Sequence, residues 1–188
     1  FFLVMLPGFL IAKYLMLEGG EFPAGYSMAM ALFRLAFLVM LERTLTGFMK
    51  AAFQTEILRH RALDMAIKLL GLTLILEFAL PRPLTAAISL LLATLLAIRF
   101  FYWKPQLAFK RLDIGIMYIG YLCILVQLLV EALGHVISFV WVGSVSVHLF
   151  SFGAMGLVIP GMIIRISKGH TGRKVVFDGG DKLVLFIM

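Results

Sequence analysis

Charge is scarce in this 188-residue chain: 14% of residues are charged, only ten of them acidic. Soluble globular chains carry about a quarter charged residues, so a soluble domain, a nucleic-acid-binding module and a disordered tail are all excluded. Cysteine is nearly absent. Cys123 alone forms no internal disulfide and builds no zinc cluster, and its place in an apolar run reads as a small packed or lipid-facing side chain. Enzyme signatures are also lacking. There is no nucleophile elbow, no His-Glu-x-x-His and no pair of carboxylates within one span.

What is present is apolar. Hydrophobic residues make up 62% of the chain, with 17 Phe and 11 Met, and the mean hydropathy is +1.04. The reading is an all-α, polytopic transmembrane helical bundle, a single domain over residues 1–188. It has six spans and the start of a seventh: Phe1 to Leu17, Ala24 to Leu41, Ala62 to Leu80, Leu84 to Trp103, Leu112 to Leu133 and Phe139 to Ile164, then Leu183 onward. About 20 apolar residues cross the hydrocarbon, and runs of this length lack the two-residue alternation of a barrel. Pro81-Arg82-Pro83 predicts a hinge between the third and fourth spans. Phe100 to Trp103 predicts an aromatic interface belt. Both ends read as cuts, in a chain that opens directly on Phe1-Phe2-Leu3 and stops in an apolar run too short to span.

The net charge of +7 reflects an uneven distribution of Lys and Arg. Twelve of the 17 fall in the loops 42–61, 104–111 and 165–182. Arg82 alone lies in a loop on the other side. Positive residues concentrate in cytoplasmic loops, which places those three loops in the cytoplasm. Within 42–61, Leu45, Phe48, Met49, Ala52, Phe53 and Ile57 recur at helical spacing, predicting an interfacial amphipathic helix, with a binding lid as the alternative. Residues 165–182 predict a basic cytoplasmic turn.

Ionisable groups inside the membrane are functional candidates. His148, nine residues after Phe139, is expected about 14 Å into the sixth span, near the midplane. It is either a metal or haem ligand or a histidine bonded to a neighbouring helix through Ser144 or Ser151. Met155 and Met162 lie seven and fourteen residues further on, on nearly the same helix face. Small residues crowd the same span, for close packing or for a flat cofactor. Arg34 is mid-span and predicts a buried ion pair; Asp64 and Lys68 are spaced to pair with each other. Arg99 and Glu131 are near enough to span ends to snorkel. A secondary transporter that uses these charges is the second reading, though no span looks broken in the middle.

His148-Leu149-Phe150-Ser151-Phe152-Gly153-Ala154-Met155-Gly156, then Arg165, then Gly169-His170-Thr171-Gly172-Arg173, resembles the NnrS family of bacterial membrane proteins. More loosely, Arg43-Thr44-Leu45-Thr46-Gly47-Phe48-Met49-Lys50 resembles the family's Gly-Arg-x-x-Pro-x-Phe-Thr-Arg turn, with Glu42, Thr46 and Met49 as departures. Asp113 stands where the family tends to have His. The resemblance implies a C-terminal half of a longer inner-membrane protein that binds haem and copper. It also implies a role in the response to nitric oxide and nitrosative stress, with nitric oxide or a redox partner as further partners beyond the lipid bilayer. His148 is then the expected metal ligand. Met155 lies beside it, and Arg165, His170 and Arg173 are expected at haem propionates, lipid phosphates or helix-end carbonyls. Catalysis is left open, because a bound cofactor would supply it.

Overall fold

The computed structural model describes residues 2–137 and 140–187. The predicted start of the sixth span, Phe139, and the terminal residues Phe1 and Met188 lie outside them. Among the described residues the secondary structure is entirely helical. In chain order come α1 (Phe2–Leu17), α2 (Phe22–Phe53), α3 (Arg61–Thr73), a 3-10 segment (Leu74–Ala79), α4 (Arg82–Tyr102) and the short α5 (Pro105–Ala108). After these come α6 (Leu112–Val136), α7 (Val142–His148), a π-helical segment (Leu149–Met155), α8 (Gly156–His170) and α9 (Gly179–Ile187).

Among the described residues, four helical rods are long and apolar enough to cross a membrane: α2, α4, α6 and the continuous stretch Val142–His170. The six-span expectation is therefore met in part. At about 1.5 Å per residue, the 16 residues of α1 reach about 24 Å, short of a hydrocarbon core of about 30 Å. The predicted third span is broken. Its α-helix ends at Thr73, and Leu76 leaves helical geometry at φ −100°, ψ 23°. The segment then ends before Pro81, and α4 starts at the predicted hinge with Pro83 in its first turn, where a missing N–H costs nothing. The third expected span thus carries a break that its apolar run conceals.

Residues 42–53 form no separate interfacial helix but prolong α2 to Phe53. Leu38, Leu41, Leu45 and Met49 are buried at steps of three and four, one continuous stripe on α2, which packs against α6. Met117, Tyr121, Ile124 and Leu128 of α6 and Leu92 and Leu96 of α4 belong to the same core. The aromatic belt is only half a belt. Phe101 and Tyr102 are exposed, whereas Trp103 is buried and its carbonyl accepts the Tyr118 hydroxyl at 2.7 Å.

In lipid, helices associate through close packing rather than exclusion of water, and glycines set the approach here. A Cβ on Gly120 would fall 2.4 Å from Val158 Cγ2, and one on Gly153 would fall 2.7 Å from Cys123 Sγ. Gly153 and Gly161 of the last rod therefore serve contact with α6. A Cβ on Gly25 would meet the Ala12 carbonyl oxygen at 2.6 Å, which seats α1 on α2.

Candidate functional site

His148 closes α7, and its Nδ1 lies 2.7 Å from the Ser144 carbonyl oxygen one turn earlier. A carbonyl only accepts, so Nδ1 carries the proton and Nε2 keeps its lone pair. The ring stacks on Phe152 at 5.5 Å between centroids. It faces an open groove of about 330 Å³ walled by Ser144, Val145, Leu149 and Gly153. His148 is exposed on the outside of this helix set. The rod begins at Val142, so His148 is about 9 Å from the rod's end, nearer one membrane face than the predicted midplane.

Met155 does not share this groove. It is half-buried and packs on the main core. The π-helical segment explains why. Gly156 N–H donates to the Ser151 carbonyl five residues back, so a residue is added within one turn. That rolls the remainder of the rod by roughly 100° relative to a regular helix.

Arg165 is buried at the far end of the rod. It ion-pairs with Asp113, and its guanidinium lies 4.0 Å from the Phe48 ring centre. Arg111 grips the same carboxylate with two bonds, at 3.0 and 2.9 Å. Asp113, 1% exposed, therefore anchors Arg165, whose guanidinium is engaged in this pair. The expected turn 165–182 is partly helix, since α8 runs to His170. His170 and Arg173 are exposed. Seventeen residues separate His148 from Arg165, about 25 Å along the rod, so the structure does not bring these groups together. Among the described residues no three His, Cys, Asp or Glu side chains converge as a metal site.

Two buried polar clusters sit at opposite ends of the apolar core. At the end away from the basic loops, Arg34 ion-pairs with Glu131, fulfilling the expectation of a buried partner. Glu131 also accepts Ser146 Oγ at 2.9 Å and Gln127 Nε2 at 3.1 Å. It is thus a network member rather than a snorkelling side chain. At the basic end, Glu42 is 2% exposed and accepts Arg59 at 2.7 Å and Lys68 at 2.9 Å. Arg99, also 2% exposed, lies 3.8 Å from Glu42 and 3.6 Å from Asp64. It stacks 4.6 Å from the Trp103 ring centre and bonds Tyr121 Oη at 3.2 Å. Asp64 and Lys68 therefore turn to Arg99 and Glu42 instead of to each other. The sequence reading missed Glu42 by placing it in a loop. Its position three residues before Leu45 and seven before Met49, on the buried stripe, was the available signal.

Outside the spanning rods, Asp178 accepts from Lys168 Nζ at 2.9 Å. That bond, with backbone help from Asp181, holds its carboxyl down at about 2. Lys50 likewise holds Glu56 below the usual carboxylate range through a hydrogen bond at 2.8 Å.

Four membrane-length apolar rods locked by ion-paired charges at both ends define a polytopic α-helical membrane protein. The family model described as NnrS protein matches residues 1–188. The chain belongs to the NnrS family and, at family level, is a membrane protein related to the nitric oxide response. No curated protein and no solved structure matches it.

Proposed function

We propose that this protein binds haem through His148 Nε2 and acts in the cellular defence against nitrosative stress from the bacterial inner membrane. The observation that carries this reading is the anchored imidazole. With Nδ1–H held by the Ser144 carbonyl, Nε2 is the basic nitrogen, the tautomer that metal-ligating histidines adopt. An imidazole turned outward on an apolar rod is costly against lipid unless it has a partner. Phe152 stacked on its ring and the apolar Val145 and Leu149 in the groove wall suit a flat, apolar group. Bound haem would supply redox and nitric oxide chemistry; the chain's residues hold and orient the ring.

Copper fits less well here. Met155 faces the core, so a copper ion at His148 needs donors beyond those the described residues bring to it. Arg165 is committed to Asp113, and His170 and Arg173 are too far along the rod to serve a group at His148. They suit lipid phosphates at the membrane surface. The basic ends of the rods face the cytoplasm in this reading.

The test is cofactor content in purified full-length variants. His148→Ala is expected to lose most haem and its Soret band, while His170→Ala keeps both. Full haem with an unchanged spectrum in His148→Ala sinks the assignment. The transporter reading has its own support in the Arg34–Glu131 pair and the broken third segment. Substrate flux abolished by Arg34→Leu would favour it.

A further inference from the structure

A polar space at the end away from the basic loops has no part in the haem reading. It is a cavity of about 470 Å³ between α2, the 3-10 segment, the start of α4, the end of α6 and α7. Five charged or titratable groups besides Tyr26 line it: Arg34, Glu77, Arg82, Glu131 and His135. Four of them are accounted for. Glu131 is held by Arg34, Ser146 and Gln127, so Arg34 is spent on it. Arg82 is exposed where α4 begins, and His135 is half-buried on the α6 wall.

Glu77 differs. It is half-buried and, among the described residues, takes part in no ion pair of 4.0 Å or less. Its close polar neighbour is the Ser27 hydroxyl from α2. From α3 no charge reaches this end, because Asp64 and Lys68 face Arg99 and Glu42. The 3-10 break holds Glu77 at the cavity wall, where the chain has left regular helix. Burial and the Glu131 carboxylate on the same cavity disfavour the charged form of Glu77, while Arg34 and the Ser27 hydroxyl favour it more weakly. The Tyr26 hydroxyl, buried and without a hydrogen-bond partner, adds an uncommitted donor and acceptor to the same wall.

We propose that Glu77 is a proton-binding site that exchanges its proton with water through this cavity, at the end of the bundle opposite the basic loops. In uptake, a hydronium ion gives its proton to a Glu77 carboxylate oxygen and leaves as water; release reverses this. The Arg34–Glu131 ion pair on the same cavity sets the local field. The proposal is independent of haem and concerns a different face of α7: Ser146 points at this cavity, His148 away from it.

The test is infrared difference spectroscopy of the full chain in liposomes, titrated from alkaline to acidic buffer. Wild type is expected to gain a carboxyl C=O band at the high wavenumber of a poorly hydrated group, shifted in D₂O. Glu77→Gln should lose that band entirely, and Glu56→Gln, at the other end, should keep it. A band that survives Glu77→Gln, or no such band in wild type, overturns the proposal. So does loss of the band in Glu131→Gln together with its retention in Glu77→Gln. Where Glu77→Gln fails to fold by circular dichroism, Glu77→Asp decides. A shifted band supports the site, and a band at unchanged frequency refutes it.

Discussion

Replacing Asp113 by Ala leaves Arg165 buried without its carboxylate. The two side chains are 1% and 6% exposed, and breaking a buried pair from one side costs about 3–5 kcal/mol. Two features pull the figure to the low end. Arg165 keeps its stacking on Phe48, and Arg111, whose side chain is 26% exposed, swings into water at little cost. The expected loss is about 3 kcal/mol, more than a hundredfold in the folding equilibrium. Reversible unfolding in mixed micelles, followed by circular dichroism, reads it. The companion is Asp113→Leu with Arg165→Met, which removes both charges and keeps apolar volume. Such replacements are often neutral or stabilising, so the double variant should recover most of the loss, a coupling of about 2 kcal/mol. An Asp113→Ala cost below about 1 kcal/mol refutes the reasoning, as does a double variant that costs as much as Asp113→Leu and Arg165→Met measured singly and summed.

Two shorter tests bear on the ends of the rods. Reporter fusions at Arg59, Lys110 and Lys168 should all report cytoplasm; a periplasmic signal at any two reverses the orientation. The C-terminal segment should respond to acid in a defined direction. Asp178 has its carboxyl lowered to about 2 from an ordinary 3.8, so its tie to Lys168 stabilises the fold above the ordinary value and is lost as pH falls towards 2. Amide exchange over α9 should stay slow until that window, and Asp178→Asn should speed it at neutral pH. Equal exchange in the two proteins would show that the tie holds nothing.

Much of the architecture is legible as long apolar runs punctuated by Pro81-Arg82-Pro83 and by clusters of Lys and Arg. The starts of α4 and α6 and the pairing of Arg34 can be read from these. What hides is what an apolar run does not encode. Leu74–Ala79 is apolar but for Glu77, yet it winds as a 3-10 segment. Glu42 looks like the first residue of a polar loop, and only its register on the buried stripe of α2 marks it as a core charge. Arg99 and Glu131 look like snorkelling side chains because sequence shows distance from a helix end but not what stands opposite. At the candidate site the sequence singles out His148 as the histidine within the last rod, and it misleads at Met155, where the seven-residue spacing assumes a regular helix.

The last rod meets α6 through Ser146, Phe150, Ala154 and Val158, three successive steps of four. On a regular helix each such step overshoots by about 40°, about 120° in total, and Val158 would miss Gly120. The π-helical turn absorbs that overshoot, so both halves of the rod stay turned to α6. Residues 149–155 therefore hold one residue more than a regular helix needs. Excising one of them would leave eleven steps between Ser146 and Val158, about three full turns of regular helix, and keep both halves turned to α6. Inserting a further residue would instead roll one half by about 100°, parting either Ser146 from Glu131 or Arg165 from Asp113. Substitutions in this stretch touch one contact at a time, whereas a single-residue insertion chooses which end of the molecule loses its ion-pair network.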